Sequence, residues 1–307
     1  NMTTSTSLAD RSLYRKNSVL NGVTTFVSGD WTQVTVAAAD NAVAGTPERL
    51  GFHGFNYFSK ATGNLDVLST WGTSSDGSGT APARFDYINQ RFTVANRTTA
   101  TLGNTWNLSG RGTGLIIGDG VTGCTVSNDA YNINLPYLEI NNGGTLRIAP
   151  ATILSITGTN TRAGFRSLTL RNGSSLDNDG LTVVKNDLLN ENEAPVDWGS
   201  GIFELSGNTR QHVTGQNLFT GLVVNNPADV SLEGNTTLNG TLTLSNGRVI
   251  CGENRLLLGA DASIAGTPSV DKMIAIYGTG ELRKGFPEGF TGSFTFPVGD
   301  TIETPVY

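Results

Sequence analysis

The sequence predicts an all-β chain: a right-handed parallel β-helix with a small β region at its N-terminus. Three observations predict this. Of 307 residues, 39 are Gly, 29 Asn and 40 Thr, types that favour turns and strands and are mediocre inside helices. Charged residues make up only 15%, against roughly 25% in an average domain. Finally, one nine-residue pattern recurs at irregular intervals, which suits stacked coils with loops of different length.

The pattern is L-x-[ILV]-x-N-[GP]-x-x-[LVI]. It reads LEINNGGTL at 138–146, LTLRNGSSL at 168–176, LVVNNPADV at 222–230 and LTLSNGRVI at 242–250. A weaker copy begins at Phe92, with Val94 and Asn96 in register. The first three positions alternate as in a strand with one buried face. Asn followed by Gly or Pro then turns the chain, because Asn tolerates the left-handed region and bonds its own backbone. Leu138, Ile140, Leu146, Leu168, Leu170, Leu176, Leu222, Val224, Val230, Leu242, Leu244 and Ile250 are therefore expected in one core. The stacked Asn142, Asn172, Asn226 and Asn246 are expected to form an internal amide ladder. Parallel crossovers are overwhelmingly right-handed, hence the expected hand. An antiparallel β-sandwich is the competing reading; hairpin signals are weak, and Asn-Gly recurs at one point of the repeat.

Taken in order, residues 1–54 have their own texture, with Arg11, Arg15 and Lys16 close together beside Tyr14, Phe26 and Trp31. Residues 55–84 read as a Gly/Ser/Thr-rich connector or cap. Residues 85–270 carry the β-helix. Residues 271–307 supply closing strands or the start of a further β domain, beginning with the apolar run Met273-Ile274-Ala275-Ile276-Tyr277. The ends, one polar and one running into a turn at Pro297-Val298-Gly299-Asp300, suggest a piece of a longer polypeptide.

Three stretches carry a resemblance. The first is Ser12-Leu13-Tyr14-Arg15-Lys16 with Phe26, Trp31 and Leu50-Gly51-Phe52-His53. It resembles the C-terminal part of a lamin-tail domain of bacterial secreted proteins. The second runs from Gly63-Asn64-Leu65 through Trp71-Gly72 and Asp76-Gly77-Ser78-Gly79 to Phe85 and Phe92. The third is Gly240-Thr241-Leu242-Thr243-Leu244-Ser245-Asn246-Gly247, Leu256 to Gly259, and Phe296-Pro297-Val298-Gly299. The last two resemble large surface proteins of Bacteroidota exported by the type IX secretion system. The resemblance implies an extracellular or cell-surface location and an adhesive or scaffolding role. It also implies secretion or cell-surface machinery and other modules of the same polypeptide as partners. Asp300-Thr301-Ile302 is similar to the short O-glycosylation acceptor of that phylum.

Chemistry is sparse. Net charge is −6, which argues against nucleic acid as the main partner, and no apolar run is long enough to span a membrane as a helix. Glycoside cleavage needs two facing carboxylates; Asp177 and Asp179 alternate by two, yet they sit in a good turn, Asp177-Asn178-Asp179-Gly180. The two histidines, His53 and His212, have no neighbouring Asp or Cys, and no P-loop, dinucleotide fingerprint or nucleophile elbow is present. No cofactor is expected apart from calcium. A calcium site is suggested by Asp187, Glu191, Glu193 and Asp197 in a segment expected to loop outward, since hard oxygen donors suit that ion. Asp76-Gly77-Ser78-Gly79 resembles half of such a loop. Trp71, Trp106 and Trp198, with Tyr131, are candidates for stacking on sugar rings of an extracellular glycan. Cys124 and Cys251 are expected about five coils, roughly 24 Å, apart, too far for a disulfide. The leading functional expectation is a non-catalytic structural or adhesive module of a secreted surface protein. The alternative is a polysaccharide-binding or polysaccharide-cleaving β-helix.

Overall fold

The fold is described by a computed structural model covering residues 11–15, 31–35, 55–158, 167–299 and 305–306. Most of the expected region 1–54, His53 and Asp300-Thr301-Ile302 lie outside the described residues. Strands Arg11–Arg15 and Trp31–Thr35 pair antiparallel.

From Phe55 onward the chain winds into a β-solenoid of about nine turns. One face, here face A, stacks Phe55–Ser59, Gln90–Val94, Gly114–Ile117, Leu138–Ile140 and Leu168–Leu170 as parallel neighbours. It continues through Leu188–Asn190, Gln211–Thr214, Val230–Glu233, Val249–Gly252 and Ile274–Ile276. Face B starts with Thr99–Thr101, Cys124–Ser127, Gly144–Ile148 and Ser175–Asn178. Face C starts with Trp106–Asn107, Ile133–Leu135, Ile153–Ile156, Leu181–Val184 and Ile202–Leu205. In later coils the long strands Asn217–Asn225 and Thr236–Asn246 run through faces B and C, with a register shift after Phe219. The parallel pairing excludes the sandwich reading. The stack also reaches past the expected 85–270 limits at both ends: its first strand is Phe55–Ser59, and Val298–Gly299 still pairs parallel with Ile274–Ile276.

The lack of a fixed repeat now has a cause. At 138–146 and 168–176 the motif turns face A into face B. At 222–230 and 242–250 it turns face C into face A. The motif is thus a corner, not a coil. Its intervals mix whole coils with partial ones, because any corner that needs a left-handed residue between two inward strands accepts the same sequence.

All twelve expected core residues are buried. Alternation along each strand sends every second side chain inward. Eleven of the twelve join one continuous cluster; Ile250 does not, because Val249 and Cys251 take the inward positions of that strand. Ile250 lies on the outer side, covered but outside the core cluster.

The expected asparagine ladder is not formed. Asn142, Asn172 and Asn246 are exposed at the corner tips, and only Asn226 is buried. Where Gly follows Asn, the glycine takes the left-handed conformation (Gly143 φ 74°, Gly173 φ 80°, Gly247 φ 84°). Besides Asn226, the interior amides among the described residues are Gln90, Asn128, Asn178, Asn190, Gln211 and Asn217. They serve buried main-chain groups that would otherwise be orphaned. Gln211 Nε2 donates to the carbonyls of Val184 and Asn186 (2.9 and 2.8 Å), and its Oε1 accepts from Asn226 Nδ2 at 2.9 Å.

The corner after Asn226 is closed by an ion pair. Asp229, a non-glycine at φ 74°, accepts from Arg248 Nη2 at 2.8 Å and from the Arg248 main-chain N–H at 3.0 Å. Burial alone would raise this carboxyl's pKa; the Arg248 bonds outweigh it and hold it below the usual carboxylate range. A depressed folded pKa contributes stability above the unfolded pKa, and that stability is lost as pH falls through the folded value. Urea midpoints of the native chain should therefore drop between about pH 5 and pH 2. Asp229→Asn should start lower and fall less over that window. Parallel pH curves for the two proteins would contradict the assignment.

Cys124 and Cys251 are free and buried. Five face A strands lie between them, beginning at Leu138, Leu168, Leu188, Gln211 and Val230, as the expected spacing of about five coils requires. Burial raises both thiols, Cys251 to about 12. The thiolate is the reactive form, so neither should react with a thiol reagent at neutral pH until the chain unfolds. Prompt labelling of Cys251 in the native protein would refute its burial.

Candidate functional site

The outer surface of face A carries polar side chains that link neighbouring coils. Strand register places them. Thr93, Ile116, Glu139, Thr169, Leu189, Thr214 and Glu233 are successive partners, one per coil. They form a single outward column rising about 4.8 Å per step. His212 begins a second column, followed by Ser231 and Ile250.

At the centre, Arg171 ties three coils together. Its Nε donates to Glu139 Oε1 and its Nη1 to Glu191 Oε1, both at 2.8 Å. The Tyr137 hydroxyl donates to the other Glu139 oxygen. The Tyr137 ring lies over Gly114, where a Cβ would come within 2.5 Å of it; that close approach explains the glycine. Burial, then the adjacent Glu139 carboxylate, pushes the Tyr137 phenol well up. It therefore stays protonated and remains a donor at neutral pH. Burial works against the Arg171 charge, but its two carboxylate partners outweigh this and hold the guanidinium above its usual range.

Further along, His212 Nδ1 meets Glu233 Oε1, and the Thr214 hydroxyl donates to Glu233 Oε2 at 3.2 Å. The His212 main-chain N–H donates to Asp187 Oδ1 at 2.9 Å. His212 stands on the strand Gln211–Thr214. The arrangement joins neighbouring coils laterally and presents imidazole, hydroxyl and carboxylate groups to solvent.

The acids expected to bind calcium are not brought together. The segment is no outward loop: Leu188–Asn190 lies in face A and Val196–Asp197 in face B. Asp187 and Glu191 are engaged as above, and Asp197 Oδ1 accepts the Gly199 N–H at 3.0 Å. Glu193 is exposed. Among the described residues, no three His, Cys, Asp or Glu side chains are placed to hold a metal ion. Asp76 instead accepts the Ser78 N–H at 2.9 Å. Asp177 faces Arg147 at 3.9 Å, and Asp179 accepts the Ser200 N–H at 3.3 Å. Both carboxylates are exposed, on either side of inward Asn178 in the chain.

The tryptophans are core residues rather than sugar platforms. Trp71, Trp106 and Trp198 are at most 1% exposed. Trp71 stacks on Trp106 at 5.7 Å and donates its indole N–H to the Leu65 carbonyl at 2.8 Å. Tyr131 is half-buried and packs against the same core.

No known protein family, curated protein or solved structure matches this chain.

Sequence reasoning missed the Arg171 clamp. Its members lie 20 and 32 residues apart, and only the coil lengths bring them into line. A cue did exist: Glu139 and Arg171 stand at comparable places in two copies of the motif, one just before the turn and one at it.

Proposed function

We propose that the chain is a non-catalytic structural and adhesive module of a secreted cell-surface protein, a substrate of the type IX system in a Bacteroidota-like envelope. One observation carries the reading: a continuous apolar core runs through about nine parallel coils. Each coil contacts its neighbours through main-chain ladders, so the unit acts as a stiff spacer. The outer charges support it, since Arg171, Arg248 and Arg255 hold carboxylates of adjacent coils. No described helix is long and apolar enough to cross a membrane.

The partners in this reading are the export machinery and neighbouring modules. The alternative, a glycan-binding or glycan-cleaving surface, loses its buried tryptophans, but the exposed His212–Thr214–Glu233 surface still favours polar ligands. Antibody raised against the purified chain should label intact producing cells, and the chain should leave polysaccharides undegraded. The structural reading is overturned if the chain depolymerises a polysaccharide and Asp177→Asn, Asp179→Asn or Glu233→Gln abolishes the activity.

A further inference from the structure

We propose that Asn246 is a site of spontaneous deamidation, and that the same chemistry at Asn142 and Asn172 is restrained by the next coil. All three are exposed and precede a glycine at φ between 74° and 84°; Asn142 and Asn172 stand in turns, Asn246 at the last residue of the strand Thr236–Asn246, where the chain leaves it. Asn239-Gly240 differs, because it lies inside the bent strand Thr236–Asn246.

In the reaction, the following glycine's main-chain nitrogen attacks Cγ of the asparagine. A new N–C bond closes a five-membered succinimide. The amide proton is lost to water, and the side-chain nitrogen leaves as ammonia. Water then opens the ring at either carbonyl. One opening leaves an aspartate, the other an isoaspartate whose main chain passes through the former side-chain carbon. Water is consumed, ammonia is released, and nothing is oxidised or reduced.

The attacking nitrogen must first give up any hydrogen bond it donates. The Gly143 N–H donates to the Gly173 carbonyl at 2.9 Å. The Gly173 N–H donates to Asn192 Oδ1 at 2.8 Å. Both acceptors belong to the following coil, so breaking either bond opens a contact between coils. The Gly247 N–H has no such acceptor among the described residues. One ordinary hydrogen bond slows the attack by about fivefold.

The product has a structural consequence. Asn246 supplies the carbonyl that accepts the Asn226 N–H at 2.8 Å, and the Asp229–Arg248 pair closes the same corner. An isoaspartate lengthens the main chain at this point and displaces that carbonyl. Deamidation at Asn246 thus loosens the attachment of the C-terminal coils.

The test is peptide mapping by mass spectrometry after incubating the folded chain in mildly alkaline buffer. Each site's rate is divided by its rate in the urea-unfolded chain, which removes the effect of the flanking residues. The Asn246 ratio should exceed those of Asn142 and Asn172 by about fivefold. In Asn192→Ala, checked for fold by circular dichroism, the Asn172 ratio should rise by a similar factor while that of Asn246 stays put. Equal ratios at the three sites, or a lower one at Asn246, overturn the proposal. This three-site comparison needs no variant. An unchanged Asn172 ratio in folded Asn192→Ala overturns it as well.

Discussion

Trp198→Ala is expected to lower unfolding free energy by about 3–5 kcal/mol, the range for removing a large buried aromatic. The ring is 1% exposed. It stacks on Phe219 at 5.9 Å and meets Phe203 edge-on at 4.9 Å. Its indole N–H donates to Asn217 Oδ1 at 3.1 Å, and Asn217 also takes a long bond from Asn190 Nδ2. Truncation therefore leaves a cavity and weakens a buried amide network, two separate costs. Neighbouring coils are the only support each coil has, so the hole is not filled by distant rearrangement. Trp198→Phe keeps most of the packing and loses the hydrogen bond, at about 1 kcal/mol. Urea unfolding of the two variants decides the matter. A loss under about 1 kcal/mol for Trp198→Ala, accompanied by weaker glycan binding, would restore the sugar-stacking role.

Gly247→Ala is expected to cost about 3 kcal/mol or more, from two sources. A non-glycine residue at φ 84° costs roughly 1–2 kcal/mol. The added Cβ would also stand 1.8 Å from the Asn226 carbonyl oxygen. That oxygen cannot simply retreat, because it accepts the Asp229 N–H at 3.0 Å, and overpacking of this kind costs about 1–3 kcal/mol. Gly120→Ala is the control. Gly120 has nearly the same φ, 79°, yet nothing lies within 4 Å of the point its Cβ would occupy, so only the conformational cost applies. Thermal midpoints should therefore separate the two variants clearly. Equal shifts would mean that backbone strain alone accounts for Gly247, and that the close approach of Asn226 carries no energy.

The burial of Trp71, Trp106 and Trp198 shows where residue type misleads. An aromatic residue in a low-charge extracellular-looking sequence invites a sugar-binding reading. Whether its ring points inward depends on strand register, and register is set by pairing with coils some 20–30 residues away. The acids at 187–197 illustrate the same dependence. Their composition suggests a loop, but Leu188, Val196 and Trp198 are inward anchors that draw the segment into an ordinary coil. The carboxylates are thereby spread over two faces.

The sequence by itself determined the fold class, eleven of the twelve expected core positions and the corner turns. Those features depend on period-two alternation and on the left-handed tolerance of Asn-Gly, both local properties of the chain. Only the tertiary structure decided which corner each motif occupies, which amides lie inside and which charges meet. These follow from the number of residues in each coil, which sets what stacks on what. The Glu139–Arg171–Glu191 clamp across face A exists because three coils of unequal length come into register there, and no local pattern encodes that sum of lengths.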